Sequence, residues 1–191
     1  KGYHGAPSKE TSPVKPIGDR NLILIGMPGV GKSTVGKGLA QSLSLAFFDT
    51  DQLMEERWGC PLQEIIDAEG LEAFRLKEEE TILSLDVSRH VISTGGSVVY
   101  GPRAMARLQD LGWIFWLDLP LEELERRLVD ATENRGIVRT PDQSLADLYW
   151  ERRPLYERNA QIRVDALGKT DQQVVQEILE CLHLEGSSQE H

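Results

Sequence analysis

Gly26-Met27-Pro28-Gly29-Val30-Gly31-Lys32-Ser33, with Thr34 next, is the stretch that decides how this chain folds. Its form is G-x-x-x-x-G-K-S, a phosphate-binding loop. Leu22, Ile23, Leu24 and Ile25 run into it as a short apolar segment, which predicts a buried strand. Val35, Leu39 and Leu43 follow at helical spacing and mark one helix face. A strand, a glycine-rich turn and a helix in that order aim several backbone N–H groups, and the positive end of a helix dipole, at one point. Gly26 and Gly31 allow backbone angles that a side chain disfavours. Gly29, Val30, Gly31 and Thr34 are the expected cradle for phosphates. Lys32 reaches toward the β- and γ-phosphates of a nucleotide, and the Ser33 hydroxyl is placed to ligate magnesium.

Around this loop the composition describes one domain. The chain has 191 residues and is 40% hydrophobic, enough for a full core. A net charge of −10 argues against a nucleic-acid surface, which is normally basic. Cys60 and Cys181 are far apart and lack metal-type neighbours, so they read as reduced thiols. No apolar run approaches the roughly 20 residues that span a membrane, and no signal peptide is visible; a cytoplasmic location is expected. Residues 1–20 and 185–191 lack periodicity and read as tails, leaving a domain over 21–184.

Between the tails, strands and helices alternate. Strands are expected at Ala46–Phe48, Val91–Ser93, Trp113–Leu117 and Gln161–Asp165. Helices are expected up to Trp58, from Pro61 with a break at Gly70, then to Leu85, and at Pro102–Asp110, Pro120–Val129, Ser144–Arg158 and Asp171–Leu182. Residues 131–143 have loop composition. The alternation implies a parallel sheet flanked by helices. Ligands of such sheets bind outside the carboxyl ends of the strands. The phosphate loop, Asp49-Thr50-Asp51 and Gly95-Gly96-Ser97 all fall at such ends.

Asp49 and Asp51 suit phosphoryl transfer, which needs a positioned metal and an oriented nucleophile. Helix capping is the competing reading, more so for Asp51 than for Asp49. Asp118 is the rival metal-side aspartate, and an N-cap before Pro120 is its favoured role. Arg75, Arg135, Arg139, Arg152 and Arg153 offer guanidinium forks for carboxylate or phosphate. Spacing alone leaves each of them a surface or salt-bridge residue.

Taken together, Gly-Met-Pro-Gly-Val-Gly-Lys-Ser-Thr, Phe48-Asp-Thr-Asp51, Glu72-Ala-Phe-Arg75, Thr94-Gly-Gly96 and Glu151-Arg-Arg-Pro-Leu-Tyr156 resemble the shikimate kinase family in order and spacing over about residues 20–182. The resemblance implies a nucleoside-monophosphate-kinase-like fold, a five-stranded parallel sheet in order 2-3-1-4-5, and a lid over 131–143. It implies transfer of the ATP γ-phosphate to the 3-hydroxyl of shikimate, in aromatic amino-acid biosynthesis, with Mg2+. Asp51 would contact the acceptor hydroxyls and assist as base, and Asp49 would assist the magnesium shell with Ser33. Arg75 and Arg152 would hold the acceptor carboxylate, Gly95 and Gly96 would line its site, and Gly96 would offer its N–H. Arg135, with Lys32, would act on the phosphates. The implied partners are ATP and a small carboxylate-bearing alcohol, for a monomer without nucleic-acid or membrane partners.

Two positions depart from the family pattern. Ser97 replaces the third glycine, and Arg135-Gly136-Ile137-Val138 replaces Arg-Pro-Leu-Leu. Arg139 competes with Arg135 as the lid arginine. A same-fold kinase for another hydroxy acid, such as homoserine, would keep the nucleotide machinery and change the pocket near Ser97. A regulatory nucleotide-binding module without catalysis is the second alternative, and the intact Asp51 with both arginines argues against it.

Overall fold

The computed structural model describes residues 18–130 and 143–182. Most of both expected tails, and nearly all of the expected lid with Arg135 and Arg139, lie outside the described residues.

Strand β1 (Asn21–Ile25) is central, and Leu22 to Ile25 are fully buried. A strand covered on both faces has no polar side to alternate with, so its sequence is continuously apolar. Helix α1 (Lys32–Leu43) follows the loop and packs on α7 (Asp171–Cys181) and β3 (His90–Ser93). With β2 (Ala46–Asp49), β4 (Gly112–Asp118) and β5 (Ile162–Asp165), the strands form one five-stranded sheet in order β2-β3-β1-β4-β5. Every pairing is parallel, with Ile23 beside Ile92 on one side and Ile114 on the other. This is the expected sheet. Parallel pairing puts every strand's carboxyl end on one edge, and that edge carries the loop.

Helices α2 (Thr50–Trp58) and α3 (Leu62–Leu83) pack together through a separate small core of Met54, Leu62, Ile65 and Phe74. Gly70 breaks α3 as expected, with φ 85° and ψ 169° between two helical halves. The second half turns Phe74, Glu78, Thr81 and Ile82 inward. A short 3-10 turn, Val98–Tyr100, was not expected; it leads from the end of β3 to α4 (Pro102–Leu111). Helices α5 (Leu121–Asp130) and α6 (Leu145–Asn159) complete the fold. Ser144 caps α6, and the cap is a reciprocal capping box with Asp147.

Candidate active site

Lys32 opens α1 from Gly31, whose φ of 103° favours glycine. Its buried ammonium donates to the carbonyls of Gly26 at 2.8 Å and Met27 at 3.0 Å, closing the loop on itself. Burial pulls the Lys32 pKa down to about 8, against the opposing pull of Asp51 and Asp49. On the loop's far side, Arg127 Nη1 donates to the Val30 carbonyl at 3.3 Å.

Asp49 is the helix cap, not Asp51. One carboxylate oxygen accepts from the Asp51 backbone N–H at 3.0 Å, and the other from the Ser33 hydroxyl at 2.6 Å. Capping and the metal-side position therefore coexist in one residue. Ser33 Oγ also lies 3.3 Å from Ser93 Oγ. Asp51 sits one step into α2, where burial first and the Asp49 charge second raise its pKa to about 6, against Lys32.

Two glycines after β3 lie against these groups. A Cβ on Gly95 would stand 2.5 Å from an Asp51 oxygen and 2.7 Å from a Glu78 oxygen, so both carboxylates converge on bare backbone. A Cβ on Gly96 would stand 3.0 Å from Arg152 Nη1. The Tyr156 hydroxyl donates to the Gly96 carbonyl at 2.6 Å and fixes that peptide. Arg152 has 0% exposure, so the surface reading of this arginine fails. Arg75 lies with it over one aromatic ring, that of Tyr100, with guanidinium carbons 4.0 Å and 5.3 Å from the ring centre.

Lys32, Ser33, Asp49, Asp51, Gly95, Gly96, Arg75 and Arg152 thus come together at one sheet edge. Asp118 does not join them as a metal-side residue, and it does not cap α5. It is buried, and its oxygens accept from Arg153 at 2.6 Å and Arg163 at 2.8 Å. Two strong guanidinium donors outcompete a cap. Glu78, Tyr100 and Arg127 went unrecognised in the sequence. Glu78 sits in an acidic run that reads as solvated, yet it lies one helical turn after Phe74 on the buried face, a signal the periodicity carries.

The residues also fit a metal. A hydroxyl and a carboxylate at 2.6 Å beside a phosphate loop form an all-oxygen set. Among the described residues no group of three or more His, Cys, Asp or Glu is arranged to hold a metal ion by itself. The Ser33 and Asp49 oxygen pair suits Mg2+, which binds through one or two protein oxygens and substrate phosphates and keeps several waters.

The sequence profile of the family described as "Shikimate kinase" matches residues 28–183. This chain belongs to the shikimate kinase family. The shikimate kinase of Dechloromonas aromatica is 40% identical over 164 residues, covering 84% of this chain and 88% of that protein. That of Paracidovorax citrulli is 40% identical over 171 residues, 87% of this chain and 93% of that one. The solved shikimate kinase of Acinetobacter baumannii, in complex with shikimate, superposes with a TM-score of 0.80 at 27% identity, covering 90% of this chain and 97% of that one. The Aquifex aeolicus shikimate kinase gives 0.72 at 32% identity, covering 86% and 96%.

Against the shikimate kinase pattern, Ser97 has a specific place. Its φ of −88° needs no glycine. Its buried hydroxyl lies 2.9 Å and 2.8 Å from the two Glu78 oxygens and donates between them. The departure is met inside the protein by a neighbouring carboxyl group.

Proposed function

We propose that this chain transfers the γ-phosphoryl group of ATP to the 3-hydroxyl of shikimate, through a single kinase domain over residues 21–184. The observation that carries the reading is the meeting, at one sheet edge, of a phosphate-loop lysine, the Asp51 carboxylate against Gly95 and two arginines over one ring. The acceptor carboxylate pairs with Arg75 and Arg152, and the Gly96 N–H adds a donor. The acceptor oxygen then lies toward Asp51. As its bond to phosphorus forms and the bond from phosphorus to the β-phosphate oxygen breaks, its proton passes to the Asp51 carboxylate, and ADP leaves. Lys32 stabilises charge on the transferring group, and the loop N–H groups of Gly29 to Thr34 hold the phosphates. When bound, Mg2+, held by Ser33 and the Asp49 side of the site, neutralises phosphate charge. Arg135 joins the phosphates in the same proposal, as do monomeric, cytoplasmic action and the absence of nucleic-acid and membrane partners. Among the described residues no helix is long and apolar enough to cross a membrane.

A coupled ADP-release assay with Mg-ATP and, separately, shikimate, homoserine and no acceptor tests this. ADP should form with shikimate alone. Release only with homoserine would shift the acceptor, and release with none of them would favour a regulatory module.

A further inference from the structure

Two cations that converge to receive one carboxylate repel each other until it arrives. Something must hold them apart at the right distance and keep their forks aligned. Tyr100 is in contact with both. Its ring carries the Arg75 guanidinium at 4.0 Å and the Arg152 guanidinium at 5.3 Å. Its hydroxyl oxygen accepts from Arg152 Nε at 3.2 Å. Arg75 forms no ion pair among the described residues, and its buried Nε has no hydrogen-bond acceptor. The negative face of the ring therefore shares with the Glu78 carboxyl the electrostatic hold on Arg75.

Tyr100 is also poorly explained as a core residue. It is half-buried and lies outside the main apolar cluster. It lines two clefts, one of about 290 Å³ lined also by Arg75, Glu78 and Ser97, the other of about 380 Å³ lined also by Met105, Gln109 and Arg158.

We infer that Tyr100 is a positioning residue that spaces and orients Arg75 and Arg152 for the acceptor carboxylate. The inference rests on the roles proposed above for those two arginines. The ring contact at 4.0 Å holds the Arg75 fork in place, and the bond from Nε to the phenol fixes the rotation of the Arg152 fork. A bidentate pair depends on such alignment more than on charge.

Steady-state kinetics on the full chain test it. Tyr100→Leu should raise the KM for shikimate about tenfold, the effect of one lost cation–π and orienting contact, and leave the KM for ATP within about twofold. Tyr100→Phe keeps the ring and loses the oxygen, so it should raise the shikimate KM by about threefold. With an acceptor whose carboxylate is replaced by a hydroxymethyl group, wild type and Tyr100→Leu should perform alike. A purely structural role would not produce this split between substrates. An unchanged shikimate KM in Tyr100→Leu, an equal rise for ATP, or an equal loss with the hydroxymethyl acceptor each overturns the inference. If Tyr100→Leu does not fold, Tyr100→Phe decides: a selective rise supports the inference and no rise overturns it. Arg75→Lys and Arg152→Lys separate the two levels. If they leave the shikimate KM unchanged, the reading of the arginines fails; if they raise it and Tyr100→Leu does not, only the role of Tyr100 fails.

Discussion

Asp51 is held from three sides. Its backbone N–H is tied to Asp49, its carboxylate abuts Gly95, and the Lys32 ammonium opposes the rise of its pKa. A base works best with a pKa near the working pH, because it is then largely ionised yet still basic. Burial and Asp49 carry Asp51 from the ordinary 3.8 to about 6, which meets that condition. Asp51→Asn keeps the shape and removes proton acceptance. Turnover should fall by about a hundredfold or more while ATP affinity changes by less than about threefold. Equilibrium ATP binding and single-turnover transfer check this. Weakened ATP binding with normal transfer would make Asp51 a nucleotide residue. Gly95 belongs to the same logic: a methyl group there would displace the Asp51 and Glu78 carboxylates, so the glycine keeps two acids close to backbone.

At the scale of elements, α6 must be docked firmly, because it carries Arg152 and Tyr156 to the edge of the sheet. Asp118, at the end of β4, anchors it. Arg153 of α6 is held by Asp118 and lies over the rings of Trp116 and Tyr149 at 5.1 Å and 5.6 Å, while Arg163 of β5 takes the other oxygen. Asp118→Ala should lower unfolding free energy by about 1.5–3 kcal/mol, toward the low end because both arginines can regain water. Urea unfolding measures it. A large loss of turnover with unchanged stability would instead restore Asp118 as a metal-side residue. The strands, the Gly70 break and the α6 cap were legible in the sequence because each is decided locally, by apolar runs, by glycine and by Ser144. The phosphate loop was legible because its chemistry demands particular residues at fixed spacing. The burial of Arg152 was not. It depends on Tyr100 and Gly96, which the fold brings from far along the chain, and on Tyr156, one turn further along α6. The 3-10 turn that places Tyr100 has no strong sequence signal. Asp118 was misread because its arginine partners lie 35 and 45 residues away.

For the whole molecule, the site stores unfavourable charge that links folding to pH. Glu78 is enclosed by Asp51 from α2, Ser97 after β3, Arg152 from α6 and Arg75 from its own helix. Burial first, then Asp51, raise its pKa from the ordinary 4.5 to about 8, against Ser97 and the arginines. Between those values the folded protein keeps a proton that the unfolded chain has released. The folded state then binds more protons, so stability falls as pH rises through this window. Asp51 acts in the same direction over 3.8 to about 6. Lys32, lowered from 10.5 to about 8, acts oppositely, but only above about 8. Glu78→Gln cannot titrate and still accepts from Ser97. Thermal or urea unfolding at about pH 5 and about pH 8 should show a clear loss of stability in wild type and a smaller one in Glu78→Gln. Equal losses would mean that Glu78 ionises normally in the folded protein, with the two arginines outweighing its burial. The apo enzyme is the form to measure, because an acceptor carboxylate between Arg75 and Arg152 would weaken their hold on Glu78 and widen the window.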